Sequence, residues 1–168
     1  MSNAKFTVLE DQKTLKVERA FNVPKSKIWE AYSNPEILAR WWGPKGFETI
    51  IKHLEFVNGG YWHYGMKCID PDIKEMYGQT FWGKGVYKNI NPEDSFGYVD
   101  IFCDENAVPT PGMPESDTLI ELFEKNGMTT IISTTSYDTP DDLKQVLEMG
   151  MEQGFDQTWD NLARVVEQ

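Results

Sequence analysis

Few side chains in this sequence could carry catalytic chemistry, and none forms a known catalytic motif. The two histidines, His53 and His63, fall in predicted strands, and His53 has no acid or cysteine at metal-ligand spacing. Cys68 and Cys103 form no C-x-x-C pair, the pattern that would indicate a metal or redox site. The sequence also lacks H-E-x-x-H, G-x-S-x-G and a phosphate-binding glycine loop. We therefore assign no catalytic residue, no metal and no cofactor.

Acidic residues in the second half of the chain could supply a different kind of site. Asp100, Asp104 and Glu105 could together hold a weakly bound cation, but a solvated acidic face explains them more simply, and we adopt that interpretation. The proline-rich segment Asp104–Asp117 has no periodic signal and is long for a connection in a compact domain. It could be a lid over a cavity or an ordinary surface loop.

Aromatic residues, 13% of the chain, are better candidates for a binding site. Side chains alternate in direction along the predicted strand 60–67, so its more apolar set should face the concave side of a sheet. His63 belongs to the opposite set and should be solvated or lie at a rim. Large flat side chains with a few hydroxyls suit a pocket for a flat or apolar ligand, although a well-filled aromatic core is the alternative. The strand residues that we assign to the pocket are Trp62, Tyr64, Met66, Tyr87 and Phe102.

The end of the chain predicts one long helix. Thr139-Pro140-Asp141-Asp142 combines a capping residue, a first-turn proline and two acids, and helical periodicity then continues from Leu143 to the C-terminus. The apolar arc of this helix contains Leu147, Met151, Gly154, Thr158, Leu162 and Val165, flanked by Phe155, Trp159 and Val166. The helix residues that we assign to the pocket are Leu147, Met151, Gly154, Phe155 and Thr158.

Two glycines, Gly150 and Gly154, fall inside this predicted helix, one turn apart. Each should cost about 1 kcal/mol relative to alanine. Close packing of the helix on a sheet could offset this cost, and so could space for a ligand between helix and sheet.

The elements that must position these residues follow from the rest of the chain. Two short strands, 5–10 and 15–23, precede two short helices that begin at Pro24 and at Asn34-Pro35-Glu36. Turn signals then separate stretches rich in β-branched and aromatic residues, which predict strands at 47–57, 60–67, 79–90, 95–103, 118–124 and 128–137. Even spacing without intervening helices predicts an antiparallel meander. The fold class is therefore α+β, with one curved sheet around the terminal helix.

Composition limits the partners of the protein. The 168 residues carry 16 basic and 27 acidic side chains, a net charge of −11 that is concentrated after residue 88, so we expect no nucleic-acid binding. No apolar run is long enough to insert in a membrane, and no signal peptide is evident, so we expect a cytoplasmic protein with reduced cysteines. We expect one domain over residues 1–168, with residues 1–4 a remnant of expression or a disordered start.

Three segments resemble one known family. They are Trp41-Trp42-Gly43-Pro44-Lys45-Gly46-Phe47, Asn58-Gly59-Gly60-Tyr61-Trp62, and Met149 to Phe155 continuing through Trp159-Asp160-Asn161-Leu162. Together they resemble the branch of the START/Bet v 1-like (SRPBCC) superfamily named after activator of Hsp90 ATPase homologue 1 (AHSA1). The resemblance covers about residues 14–167 and implies a helix-grip fold, in which a long helix closes an apolar tunnel in a curved sheet.

Three functions are consistent with these patterns. The first is binding of an apolar or aromatic small molecule, lipid-like or polyketide-like, between the terminal helix and the sheet. The second is an Hsp90-linked interaction module, which the resemblance implies and which an exposed member of the pair Trp41 and Trp42 would favour. The third is a cyclase- or hydrolase-like enzyme acting on a hydrophobic substrate through pocket hydroxyls such as those of Tyr64 or Thr158. We favour the first, in a monomer or weak homodimer.

Overall fold

The computed structural model describes residues 4–168, so most of the predicted N-terminal remnant, residues 1–3, lies outside the described part of the chain. The strands are β1 (Lys5–Val8), β2 (Thr14–Phe21), β3 (Phe47–Leu54), β4 (Tyr61–Cys68), β5 (Thr80–Asn91), β6 (Ser95–Cys103), β7 (Ser116–Lys125) and β8 (Met128–Tyr137). The helices are α1 (Lys25–Ser33), α2 (Pro35–Trp41), α3 (Pro140–Glu148) and α4 (Met151–Val166).

All strands of residues 4–168 belong to one eight-stranded antiparallel sheet in the order β1-β2-β8-β7-β6-β5-β4-β3. Strands β3 to β8 form the expected meander, and the β1–β2 hairpin joins it by pairing β2 with β8. A bulge interrupts the β3–β4 register between Ile51 and His53. The prediction of an α+β helix-grip fold is confirmed.

Helix α2 begins as its sequence indicates. The side chain of Asn34 accepts hydrogen bonds from the amides of Glu36 at 2.9 Å and Ile37 at 3.3 Å, and Pro35 occupies the first position. The helix ends at Trp41, whose buried indole donates to the carbonyl of Ala31 at 3.0 Å.

Neither member of the pair Trp41 and Trp42 is exposed, so the observation that would favour an interaction module is not made. Trp42 already has an extended backbone conformation, so helical spacing no longer separates the two side chains. Trp41 is fully buried, and the half-buried Trp42 ring packs against those of Trp62 and Tyr64, with centroids 4.9 and 5.6 Å away.

The prediction of one unbroken terminal helix is wrong. The chain divides into α3 and α4 at Gly150, whose φ of +86° places it in the left-handed region. Glycine adopts this conformation readily, and it commonly follows the last residues of a helix. The fully buried face of α4 contains Trp159, Leu162, Ala163 and Val166. Gly154, Thr158 and Val165 of the predicted arc are only half-buried.

The two helix glycines should respond oppositely to alanine. Gly150→Ala forces a side chain into the left-handed region and should cost about 1–2 kcal/mol. Gly154→Ala adds a methyl group with no neighbour closer than Pro44 Cβ at 3.9 Å, and should stabilise α4 by up to about 1 kcal/mol. Urea denaturation of both variants measures the two changes in the free energy of unfolding. Changes of the same sign would contradict the difference between the two glycines.

The helices lie against the sheet and against one another. Helix α3 contacts β8, while α4 contacts α1 and α2. Within residues 4–168, no helix is long and apolar enough to cross a membrane.

Candidate functional site

A cavity of about 220 Å³ lies between α4 and the concave face of the sheet. We call it the helix cavity. Its walls are almost entirely apolar and aromatic, with contributions from α1, α4, four strands and the segment that follows α2. The lining residues are Tyr32, Trp42, Gly43, Pro44, Tyr64, Met66, Tyr98, Ile120, Ser133, Met151, Gly154, Phe155, Thr158 and Trp159.

Helix α4 leaves room for this cavity at Gly154. An added Cβ would meet only Pro44 Cβ at 3.9 Å, so close packing on the sheet does not explain this glycine. The hydroxyl of Thr158 donates to the carbonyl of Gly154 at 2.8 Å, and its oxygen can still accept a hydrogen bond.

Two rings of β4, Tyr64 in the cavity wall and Trp62 in the core behind it, lie on glycines of the neighbouring strand. Tyr64 pairs with Gly83 and Trp62 with Gly85 in the β4–β5 register. A Cβ on Gly83 would lie 2.5 Å from the Tyr64 hydroxyl oxygen, and one on Gly85 would lie 3.0 Å from the Trp62 ring. The absence of a side chain on β5 thus lets the Tyr64 ring lie close to the strand.

Polar contacts attach the segment after α2 to α4. The side-chain amide of Asn161 donates to the carbonyl of Gly43 at 3.0 Å, and the amide of Lys45 donates to the side chain of Gln157 at 3.1 Å. These bonds hold Gly43 and Pro44 against the cavity, beside Gly154.

A second cavity of about 260 Å³ lies on the other side of Tyr64 and Met66. We call it the loop cavity, because Thr110 and Met113 of the β6–β7 connection line it. Its remaining lining residues are Thr80, Phe81, Trp82, Gly83, Asp100, Ile101, Phe102 and Cys103. Tyr64 and Met66 therefore form a wall shared by both cavities.

Asp100 is the carboxylate of the loop cavity. The hydroxyl of Tyr64 donates to its Oδ1 at 3.4 Å, a long hydrogen bond. Burial raises the pKa of Asp100 to about 6, although bonds from Tyr64 and the Ile101 amide favour the charged form. Burial, and secondarily the charge of Asp100, raises the pKa of Tyr64 and of Tyr98.

The structure brings six of the ten assigned pocket residues to the helix cavity: Tyr64, Met66, Met151, Gly154, Phe155 and Thr158. Phe102 lines the loop cavity instead. Trp62 and Tyr87 are buried in the core behind the wall, their rings 5.8 Å apart. Leu147 lies on α3 beside Val8 and Leu143, away from both cavities, because the break at Gly150 separates it from α4.

The interpretation of Asp100 as part of a solvated acidic face is wrong. Side chains alternate along β6, so Asp100 shares the concave face with Tyr98 and Phe102. The sequence contained this signal, because Phe102 was already placed on that face. Asp104 and Glu105 are exposed, and among the described residues no cluster of three or more His, Cys, Asp or Glu side chains could hold a metal ion.

The expectation that His63 is solvated or lies at a rim is also wrong. The β6–β7 connection covers the convex face of the sheet, and His63 is only 5% exposed. Its Nε2 lies 3.1 Å from the carbonyl oxygen of Asp104, while the ammonium groups of Lys52 and Lys84 donate to the carbonyls of Glu105 and Ala107 at 2.8 and 3.4 Å. The first part of the connection is thus held on the convex face.

Comparisons with known proteins support this architecture. Protein Ms6760 from Mycobacterium smegmatis is similar with a TM-score of 0.87 and 25% identity, over 98% of this chain and 97% of that one. A protein from Arthrobacter aurescens is similar with a TM-score of 0.88 and 21% identity, over 99% of this chain and 92% of that one. The AHSA1 protein from Silicibacter pomeroyi is similar with a TM-score of 0.68 and 23% identity, over 90% of this chain and 95% of that one. No functionally curated protein matches the chain.

The family resemblance extends to the sequence itself. A family model described as activator of Hsp90 ATPase homolog 1-like protein matches residues 22–167, which include both short helices, the meander and α4. The chain therefore belongs to the family of activator of Hsp90 ATPase homolog 1-like proteins.

Proposed function

We propose that the protein binds a small, largely aromatic molecule in the helix cavity. The observation that carries this proposal is a cavity of about 220 Å³ with apolar walls, beside a helix glycine that no close contact explains. An apolar cavity of about 150 Å³ holds one benzene ring. A ligand of one or two fused rings therefore fits the helix cavity, and a long acyl chain does not.

The lining favours a flat ligand with one polar group. Tyr32, Phe155 and Trp159 present aromatic surface, while Met66 and Met151 are flexible side chains that adapt to different ring shapes. The hydroxyls of Ser133 and Thr158 add hydrogen-bonding capacity to this apolar surface.

Calorimetric titration with 2-naphthol tests the proposal. Gly154→Leu places an isobutyl group toward the cavity and should weaken binding at least about tenfold. Gly154→Ala is the matched control and should bind as the unchanged protein does, since its methyl group has no neighbour closer than Pro44 Cβ at 3.9 Å. Binding that is unaffected by the leucine, or weaker than about 1 mM in the unchanged protein, would contradict the proposal.

The Hsp90-linked alternative gains no support from the tryptophan pair, because Trp42 lines the cavity rather than the surface. The enzyme alternative gains no support from Thr158, because its hydroxyl already donates its hydrogen bond to the Gly154 carbonyl. We further infer a single domain, because one sheet contains all strands of residues 4–168. We also infer a reducing compartment such as the cytoplasm, because Cys68 and Cys103 are both buried free thiols.

A further inference from the structure

The loop cavity contains a charge without an ionic partner. Asp100 lines it, and no lysine, arginine or histidine does. Among residues 4–168, no basic side chain lies within ion-pair distance of Asp100, whose bonds come from the Tyr64 hydroxyl and the Ile101 amide. Asp100 is half-buried, and charges withdrawn from water in this way are normally paired or bound to a ligand.

The surroundings of Asp100 match one class of ligand. The aromatic rings of Phe81 and Phe102 and the thioether of Met113 line the same cavity. A carboxylate combined with aromatic rings suits an organic ammonium ion, because the carboxylate pairs with its charge and ring faces attract cations.

We propose that the loop cavity is a second binding site, for a small organic amine whose ammonium group pairs with Asp100. The apolar part of the amine packs against Phe81, Phe102 and Met113. The volume of about 260 Å³ accommodates one ring with a short alkyl chain. This site is distinct from the helix cavity, from which Tyr64 and Met66 separate it.

Calorimetric titration with 2-phenylethylamine tests the site, with 2-phenylethanol as its uncharged analogue. At about pH 7.5 the amine should bind at least about tenfold more tightly than the alcohol, because only the amine neutralises Asp100. Asp100→Asn should remove this preference. Glu105→Gln, which removes an exposed acid of the adjacent connection, should preserve it.

The pH dependence provides a second readout. Amine binding should weaken as the pH falls through about 6, since protonation of Asp100 removes its charge. The other titratable groups near Asp100 are Tyr64 on β4, Tyr98 and Cys103 on β6, and Tyr137 on β8. Burial raises the pKa of each of these four groups, so they stay neutral over this range.

The two proposed sites can fail separately. Gly154→Leu should lower the affinity for 2-naphthol without changing the affinity for the amine. Asp100→Asn should lower the affinity for the amine without changing the affinity for 2-naphthol. Equal affinity for the amine and the alcohol, amine affinity that survives Asp100→Asn, or no amine binding at all would each overturn the second site. None of these outcomes depends on the ligand of the helix cavity.

Discussion

Replacing Gly83 with alanine should destabilise the protein by about 3 kcal/mol, near the upper end of the usual cost of overpacking. The new Cβ would lie 2.5 Å from the hydroxyl oxygen of Tyr64 and 2.6 Å from its Cζ, distances that real side chains do not tolerate. Tyr64 is 6% exposed and its ring is packed against Trp42 and Trp62, so it cannot move aside freely. Urea denaturation with a tryptophan fluorescence readout measures the loss.

A double-mutant cycle identifies the cause of that loss. In a Tyr64→Leu background the atoms that collide with the new Cβ are absent, so Gly83→Ala should cost less than about 1 kcal/mol. Gly154→Ala is the control for a glycine with open space around it. If Gly83→Ala costs as much with leucine at position 64, the contact between ring and glycine does not explain the effect.

Replacing Asp100 with asparagine should stabilise the protein by about 1–2 kcal/mol above pH 7. Burial raises the pKa of Asp100 from 3.8 to about 6, so the folded state binds its proton more tightly than the unfolded state does. The contribution of Asp100 to stability is therefore greatest below about pH 4 and is lost as the pH rises through 6. Asparagine keeps the shape and can still accept a hydrogen bond from the Tyr64 hydroxyl.

The difference between the two proteins isolates this group from the other carboxylates. The free energy of unfolding, measured from pH 4 to 8, should favour Asp100→Asn increasingly as the pH rises and level off above about pH 7. Glu105→Gln should show no such trend, because Glu105 is exposed. A constant difference across this range would mean that Asp100 does not titrate with a raised pKa.

Patterns among neighbouring residues were sufficient to predict most of the fold. The Asn34 cap with Pro35 located the start of α2, and alternation along 60–67 identified the side-chain directions of Trp62, Tyr64 and Met66. These signals depend on neighbouring residues alone. The antiparallel meander followed because no helix separates its strands.

The site was less predictable, because its features depend on backbone state and on distant strands. Periodicity continues across Gly150 whether that residue is helical or left-handed, so the pattern could not reveal the break. The negative charge of its region favours a solvated position for Asp100, although alternation with Phe102 places it on the concave face. The cavity volumes depend on how rings from several strands pack against Gly83 and Gly85. No single stretch of sequence contains these contacts, because they join residues of different strands.

The bulge in β3 and the shortness of β1 bear on self-association. An edge strand exposes unpaired N–H and C=O groups, onto which a second chain can add. β1 has only four residues, and the irregularity between Ile51 and His53 bends β3 away from the straight geometry that an incoming strand needs. Both edges of the sheet thus resist pairing between copies. Protein at high concentration should therefore remain dispersed rather than grow into strand-linked aggregates.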